Sequence, residues 1–149
     1  MYTPFGALIL ETEVGAEKME KISLTQRSGF EVIHNSVNWR IAVHAYEEAV
    51  NGITAFTEWG VHEDSQEAFI LLEGEAWLVL SEVGEDPKDY QLHRLEKESV
   101  FVVQKKEYHS IILAPDSQVL IMENLDMSNS GKKPVDPKVI QAVKKSLKK

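Results

Sequence analysis

The chain has 149 residues, a formal charge of −8 and no cysteine. Its length fits one domain with a core of its own, and the absence of cysteine excludes disulfides, thiolate nucleophiles and zinc–thiolate centres. Seven lysines and one aspartate among residues 131–149 make +6, which leaves −14 on residues 1–130; a body this acidic argues against nucleic acid as the main partner.

Residues 1–28 show no clear period. The stretch around Ile9, Glu11 and Glu13 reads as extended, and Met19, Ile22 and Leu24 fit a short helix or a strand. The first residues lack a basic leader, and no apolar run approaches the ~18–20 residues of a membrane span. A cytoplasmic protein with no membrane partner is expected.

From Phe30 the pattern is β. Phe30–His34 ends at the turn pair Asn35-Ser36. In Asn38–Tyr46, Trp39, Ile41 and Val43 alternate with Arg40, Ala42 and His44. Asn51-Gly52 suits a type I′ hairpin turn, and the β-branched and aromatic run from Ile53 is expected to continue as a strand to His62. Glu67–Leu72, the turn Glu73-Gly74 and Glu75–Leu80 form the clearest hairpin. Gly84–Asp89 is a polar loop. Short strands follow over Tyr90–Leu95, Val100–Val103, Tyr108–Leu113 and Val119–Glu123. Nine or ten short strands with no helix between them predict an all-β antiparallel sandwich or barrel, not a βαβ sheet.

Residues 125–135 read as a linker or surface strap. A C-terminal helix follows, with Asp136 as N-cap, Pro137 at the first helical position, and Val139, Ile140, Val143 and Leu147 on one face. That face is expected to dock on the barrel or on a second subunit. The organisation is therefore residues 1–37 as N-terminal strands or extension, 38–124 as barrel, and 125–149 as linker and helix.

Alternate residues of a strand share a face. Phe56, Glu58, Gly60 and His62 would share one; Glu67, Phe69 and Leu71 another; His109, Ile111 and Leu113 a third. A closed barrel can turn these faces inward, so that His62, Glu67 and His109 meet above Phe69, Ile111 and Leu113, with Phe56 nearby. Two imidazoles and a carboxylate suit a divalent transition metal (zinc, iron, manganese or nickel) and leave positions open for a ligand. Glu58 is a candidate catalytic acid, and His44 a candidate lining residue. Arg40 and Tyr46 are read as surface residues in preference to an anion site. Trp39, Trp59 and Trp77 are read as packing between sheets or subunits.

These residues resemble the cupin superfamily. Glu67, six residues and Gly74 match the second half of its first motif, and His62, four residues and Glu67 match its second His-to-Glu spacing. His109 follows an apolar strand as in the second motif, and Asn124 stands where the family has a later Asn. The resemblance covers about residues 38–124 and implies a jelly-roll barrel, a double-stranded β-helix, with the C-terminal helix appended. It also implies a metal centre, although Gly60 replaces the first histidine of His-x-His; Glu58 and Asp64 are the candidate substitutes. The family hosts many activities, so two readings stand. One is a metal-dependent enzyme acting on a small polar organic molecule, such as a sugar derivative or organic acid. The other is a metal-free ligand-binding or regulatory module. A homodimer is expected in either case.

Overall fold

The alternating segments pair into two five-stranded antiparallel sheets in the computed structural model, which describes residues 18–82 and 89–148. The segment around Ile9, Glu11 and Glu13 and the loop residues Gly84–Lys88 lie outside the described residues. The strands are β1 (Gly29–Asn35), β2 (Trp39–Ala45), β3 (Glu58–His62), β4 (Glu67–Glu73), β5 (Ala76–Ser81), β6 (Tyr90–Arg94), β7 (Phe101–Val103), β8 (His109–Leu113), β9 (Gln118–Asn124) and β10 (Ser130–Pro134). One sheet runs β1-β2-β9-β4-β7, the other β10-β3-β8-β5-β6. Strands distant in sequence lie side by side, β2 against β9 and β3 against β8. This is the all-β jelly-roll arrangement, with one C-terminal helix.

The period of two decides what lies inside. Ala42, Phe69, Leu71, Leu78, Leu113, Val119 and Ile121 are buried in one inner cluster. Register aligns them, with Ile121 opposite both Ala42 and Phe69. Burying an aliphatic or aromatic side chain of this size is worth about 1.5–3 kcal/mol before entropy is counted.

A second cluster lies on the outer side of the second sheet. Trp59, Val61, Val79 and Ile112 point away from the barrel and are covered by Val139 and Val143 of helix α2 (Pro137–Leu147). The Asp136 side chain accepts a hydrogen bond from Lys138 N at 2.9 Å, and Lys144 and Lys145 stand at the opposite helix end. Both placements favour the helix dipole and its unpaired groups. The helix thus docks on its own barrel. Among the described residues no helix is long and apolar enough to cross a membrane.

Three local expectations need correction. Asn51-Gly52 does not make a type I′ hairpin, because Gly52 has φ −77°. A helical turn, α1, over Glu48–Asn51 and a 3-10 turn over Ile53–Ala55 replace the expected strand. Side chains impose this: Asn51 Oδ1 accepts from Glu47 N and its Nδ2 donates to Ala45 O, both at 2.9 Å, while the Glu48 carboxylate accepts from Thr54 N at 2.8 Å. Such local side-chain bonds compete with a ladder. Residues 130–134, within the stretch read as a linker or surface strap, are a paired strand, β10, which pairs with β3 and covers its open edge.

Trp59 is buried, packs edge-on against Phe56 at 5.6 Å, and its Nε1 has no partner among the described residues. Trp59→Ala is expected to cost about 3–5 kcal/mol in urea unfolding. Trp59→Phe should cost well under half as much, because it also removes the unpaired donor. Equal losses for the two variants would contradict this packing.

Candidate metal centre

Three strand ends build the site. His62 closes β3, Glu67 opens β4, and His109 opens β8. Gly60 pairs directly with His109, which sets the two histidine strands in register. The turn between His62 and Glu67 is held from outside: Asn124 Nδ2 donates to Asp64 O at 2.9 Å and Asn124 N donates to Ser65 Oγ at 3.0 Å. Glu67 Oε1 lies 2.8 Å from His109 Nε2 and 3.2 Å from His62 Nε2. One ligand atom from each of the three residues falls within 4.8 Å of the others, and the two rings are 5.1 Å apart. Among the described residues no other group of three such side chains comes together. Phe69 packs edge-on 6.2 Å from the His109 ring, and Ile111 packs on the inner cluster below.

The ring protons are assigned by the outer nitrogens. Ser130 Oγ donates its only proton to Met127 O at 2.7 Å, so at 2.7 Å it accepts from His62 Nδ1. His109 Nδ1 faces a carbonyl, Glu107 O, at 3.0 Å and must also donate. Both neutral tautomers therefore leave the Nε2 lone pair aimed at the Glu67 carboxylate. Lone pairs facing a carboxylate repel unless a proton or a cation lies between them. The donor set fits a divalent transition ion, with each imidazole oriented by an outer hydrogen bond as metal-ligating histidines commonly are. His62, Glu67 and His109 could therefore hold a metal.

Burial alone would raise the Glu67 carboxyl, but the hydrogen bonds from His109 and His62 outweigh it and hold the carboxyl far below the usual range. Burial would lower His109, and the hydrogen bond and charge of Glu67 reverse that, leaving it above its ordinary value. A fourth titratable group joins them. Glu123 is buried opposite Glu67 in register and hydrogen-bonds to it, and Arg40 Nε and Nη2 donate to Glu123 Oε2 at 2.7 and 2.6 Å. Burial and then Glu67 push Glu123 up to about 7.

Sequence reasoning missed Glu123 and Ser130. Glu123 continues the inward alternation of Val119 and Ile121, so the period could have placed it. Ser130 lies on the strand read as a linker or surface strap, and no local signal marks it. Arg40, read as a surface residue, faces inward.

The remaining candidates are scattered. His44 faces inward on β2, bonded to Asn51. Phe56 is not a pocket residue: the turns over Glu48–Ala55 remove it from the strand pattern, and it joins the outer cluster under α2. Glu58 shares the face of His62, but four residues of strand, about 13 Å, separate them. Its side chain is 51% exposed and 4.0 Å from Lys132. Asp64 accepts from Asn129 Nδ2 at 2.9 Å on the exterior. Neither carboxylate joins the three-residue group.

The pH dependence of the metal-free protein follows from these shifts. His109 and Glu123 are both raised, so their contribution is complete below the unfolded values of 6.5 and 4.5 and is lost as pH climbs through the folded ones. Glu67 is lowered, so its contribution is present above 4.5 and disappears only in strong acid. The melting temperature without metal should fall from pH 6 to pH 8, and Glu67→Gln should flatten that slope. A wild-type profile rising over the same interval would contradict the assignment.

No protein-family model matches the sequence, and no curated protein matches it. Solved structures do resemble it. A cupin-2 domain protein from Shewanella frigidimarina aligns at 20% identity over 68% of this chain and 84% of that one, with a TM-score of 0.49. KdgF from Halomonas aligns at 14% identity over 72% and 89%, with a TM-score of 0.48. A Streptomyces PAC13 structure with uridine aligns at 8% identity over 83% and 97%, with a TM-score of 0.57. With two antiparallel five-stranded sheets in jelly-roll order, the chain has the fold that the cupin resemblance implied and shares its fold with the PAC13 structure.

Proposed function

We propose that the chain binds one divalent transition ion through His62, Glu67 and His109 and uses it to act on a small polar organic ligand, a sugar derivative or organic acid, in the barrel mouth. The observation that supports this most is the pair of fixed tautomers, which turns two Nε2 lone pairs toward one carboxylate. Three protein donors leave coordination positions open, as catalytic sites do and structural ones do not. Of zinc, iron, manganese and nickel, iron(II) and zinc suit two imidazoles and a carboxylate best. Such an ion supplies Lewis acidity toward a ligand oxygen. The chain's own residues orient and exclude: Ser130 and the Glu107 carbonyl aim the rings, Glu123 hydrogen-bonds Glu67, and Phe69 and Ile111 make a dry floor.

A second reading is a metal-free binding module. It is favoured by the Glu67–His109 pair, whose 2.8 Å contact is a charge-assisted hydrogen bond when the imidazole is protonated, and by Gly60, which offers no side-chain donor. A homodimer belongs to either reading. It is supported by the outer face of the first sheet, where Ile41, Met122, Ala68 and Val102 form one row in register, with Met122 41% and Val102 46% exposed. Met122→Glu combined with Val102→Lys should halve the mass measured by light scattering; an unchanged mass would remove this face from the interface.

Metal titration separates the two functional readings. Wild-type protein should bind one ion per chain, more tightly as pH rises, because the ion displaces ring protons. His62→Ala should abolish tight binding, and Ser130→Ala should weaken it by about 10–100-fold. At Gly60 an added Cβ would lie 3.7 Å from His109 O, an ordinary contact. Gly60→His can therefore add a donor and should tighten binding. If wild-type protein takes up no transition ion and its ligand-induced thermal shifts ignore chelator, the metal-free module is correct.

A further inference from the structure

We propose that the inner face of β1 and β2, beside the metal centre, is a carboxylate subsite in which Arg40 supplies the cation and His44 a neutral N–H donor. The proposal deepens the ligand-binding reading above, on which it rests, and names the ligand class as small organic acids.

Arg40, Ala42 and His44 alternate along the inward face of β2, opposite Glu123, Ile121 and Val119 of β9. Across the edge strand, Phe30 stands opposite His44 and Val32 opposite Ala42. Both are on the inner face, yet Phe30 is 41% and Val32 37% exposed. The interior is therefore open to solvent along this side. A guanidinium carries five N–H donors. Nε and Nη2 of Arg40 both serve Glu123 Oε2, and among the described residues Nη1 has no acceptor. The guanidinium carbon lies 5.9 Å from the centre of the Phe30 ring, and the His44 ring lies 5.0 Å from it. A cation and an imidazole thus flank one apolar wall.

The proton on His44 is fixed by a buried neighbour. Asn51 Oδ1 accepts from Glu47 N at 2.9 Å, and its Nδ2 donates to Ala45 O at 2.9 Å, which sets the amide orientation. The second Nδ2 hydrogen points to His44 Nδ1 at 3.1 Å, so Nδ1 accepts. The ring proton then lies on Nε2, for which the described residues offer no acceptor. Burial keeps the ring neutral by lowering its pKa to about 4, against the opposing charge of Glu67. His44 is therefore a donor at neutral pH, not a base.

The two oxygens of a carboxylate match the planar fork of a guanidinium, and the Phe30 ring beside Arg40 and His44 suits the organic part of a small acid.

Thermal-shift titrations of the full chain, metal-free and zinc-loaded, should compare acetate, pyruvate and benzoate with their neutral amides and with methyl phosphate. At least one carboxylate is expected to bind about tenfold or more tightly than its amide, since charge-assisted hydrogen bonds carry the difference. The preference should survive in the metal-free protein. Arg40→Lys keeps a cation against Glu123 but loses the fork, and His44→Phe keeps a ring but loses the donor. Each should weaken the carboxylate by about tenfold, and His44→Gln, which retains a side-chain N–H, should recover most of that loss. Carboxylates no better than amides, a preference untouched in both variants, or methyl phosphate binding more tightly than every carboxylate would each overturn the subsite. Carboxylate binding that depends on Arg40 and His44 without any zinc uptake would uphold the subsite and refute the metal reading; zinc uptake without carboxylate preference would do the reverse.

Discussion

One carboxylate constrains the interior of this barrel. Glu67 is buried at the start of β4, where an unpaired charge would be prohibitively costly. His62, His109 and Glu123 answer it from three other strands. Each partner is in turn held: His62 by Ser130, His109 by the Glu107 carbonyl, Glu123 by Arg40. The network therefore ties β2, β3, β4, β8, β9 and β10 to a single point. Polar networks of this kind stabilise little when summed pair by pair, yet removing one member strands the rest. Register between the sheets and the metal-ready geometry are thus one arrangement seen from two sides.

The apolar parts divide the labour. The inner cluster around Phe69, Leu78 and Ile121 closes the floor beneath the polar network. The outer cluster around Trp59 and Ile112 gives α2 a surface to cover, so the lysine-rich C-terminus is anchored by Val139 and Val143 on the chain's own barrel. β10, next to α2 in sequence, carries Ser130 to His62. The C-terminal segment that packs outside the barrel therefore also orients a histidine of the candidate centre inside it.

Much of this was legible in the residues. Alternation over β3, β4 and β8 assigned inward faces, and the spacing of His62, Glu67 and Gly74 with the later His109 pointed to one mouth. The helix signals at Asp136 and Pro137 were local and read correctly. Phe56 and Asn51-Gly52 were misread for a physical reason: the loop is shaped by side-chain bonds from Asn51 and Glu48, which override the β-propensity of the Ile53–Trp59 run. Arg40 was read as surface because a strand's period does not say which of its faces turns in when both carry mixed residues.

The sequence by itself determined most of the strand pattern, the C-terminal helix, and three side chains, one at each of three strand ends, that face one mouth. These follow from periods of two and 3.6 and from capping chemistry, which act over a few residues. Only the tertiary structure decided which groups answer them. Glu123, Arg40 and Ser130 reach the centre through cross-strand register over 56, 27 and 68 residues from Glu67, Glu67 and His62. The proton on each imidazole is likewise set by the acceptor or donor that packing places against its other nitrogen: Ser130 for His62, the Glu107 carbonyl for His109, and Asn51 for His44. No short-range pattern encodes those contacts, because they exist only once the two sheets have closed on each other.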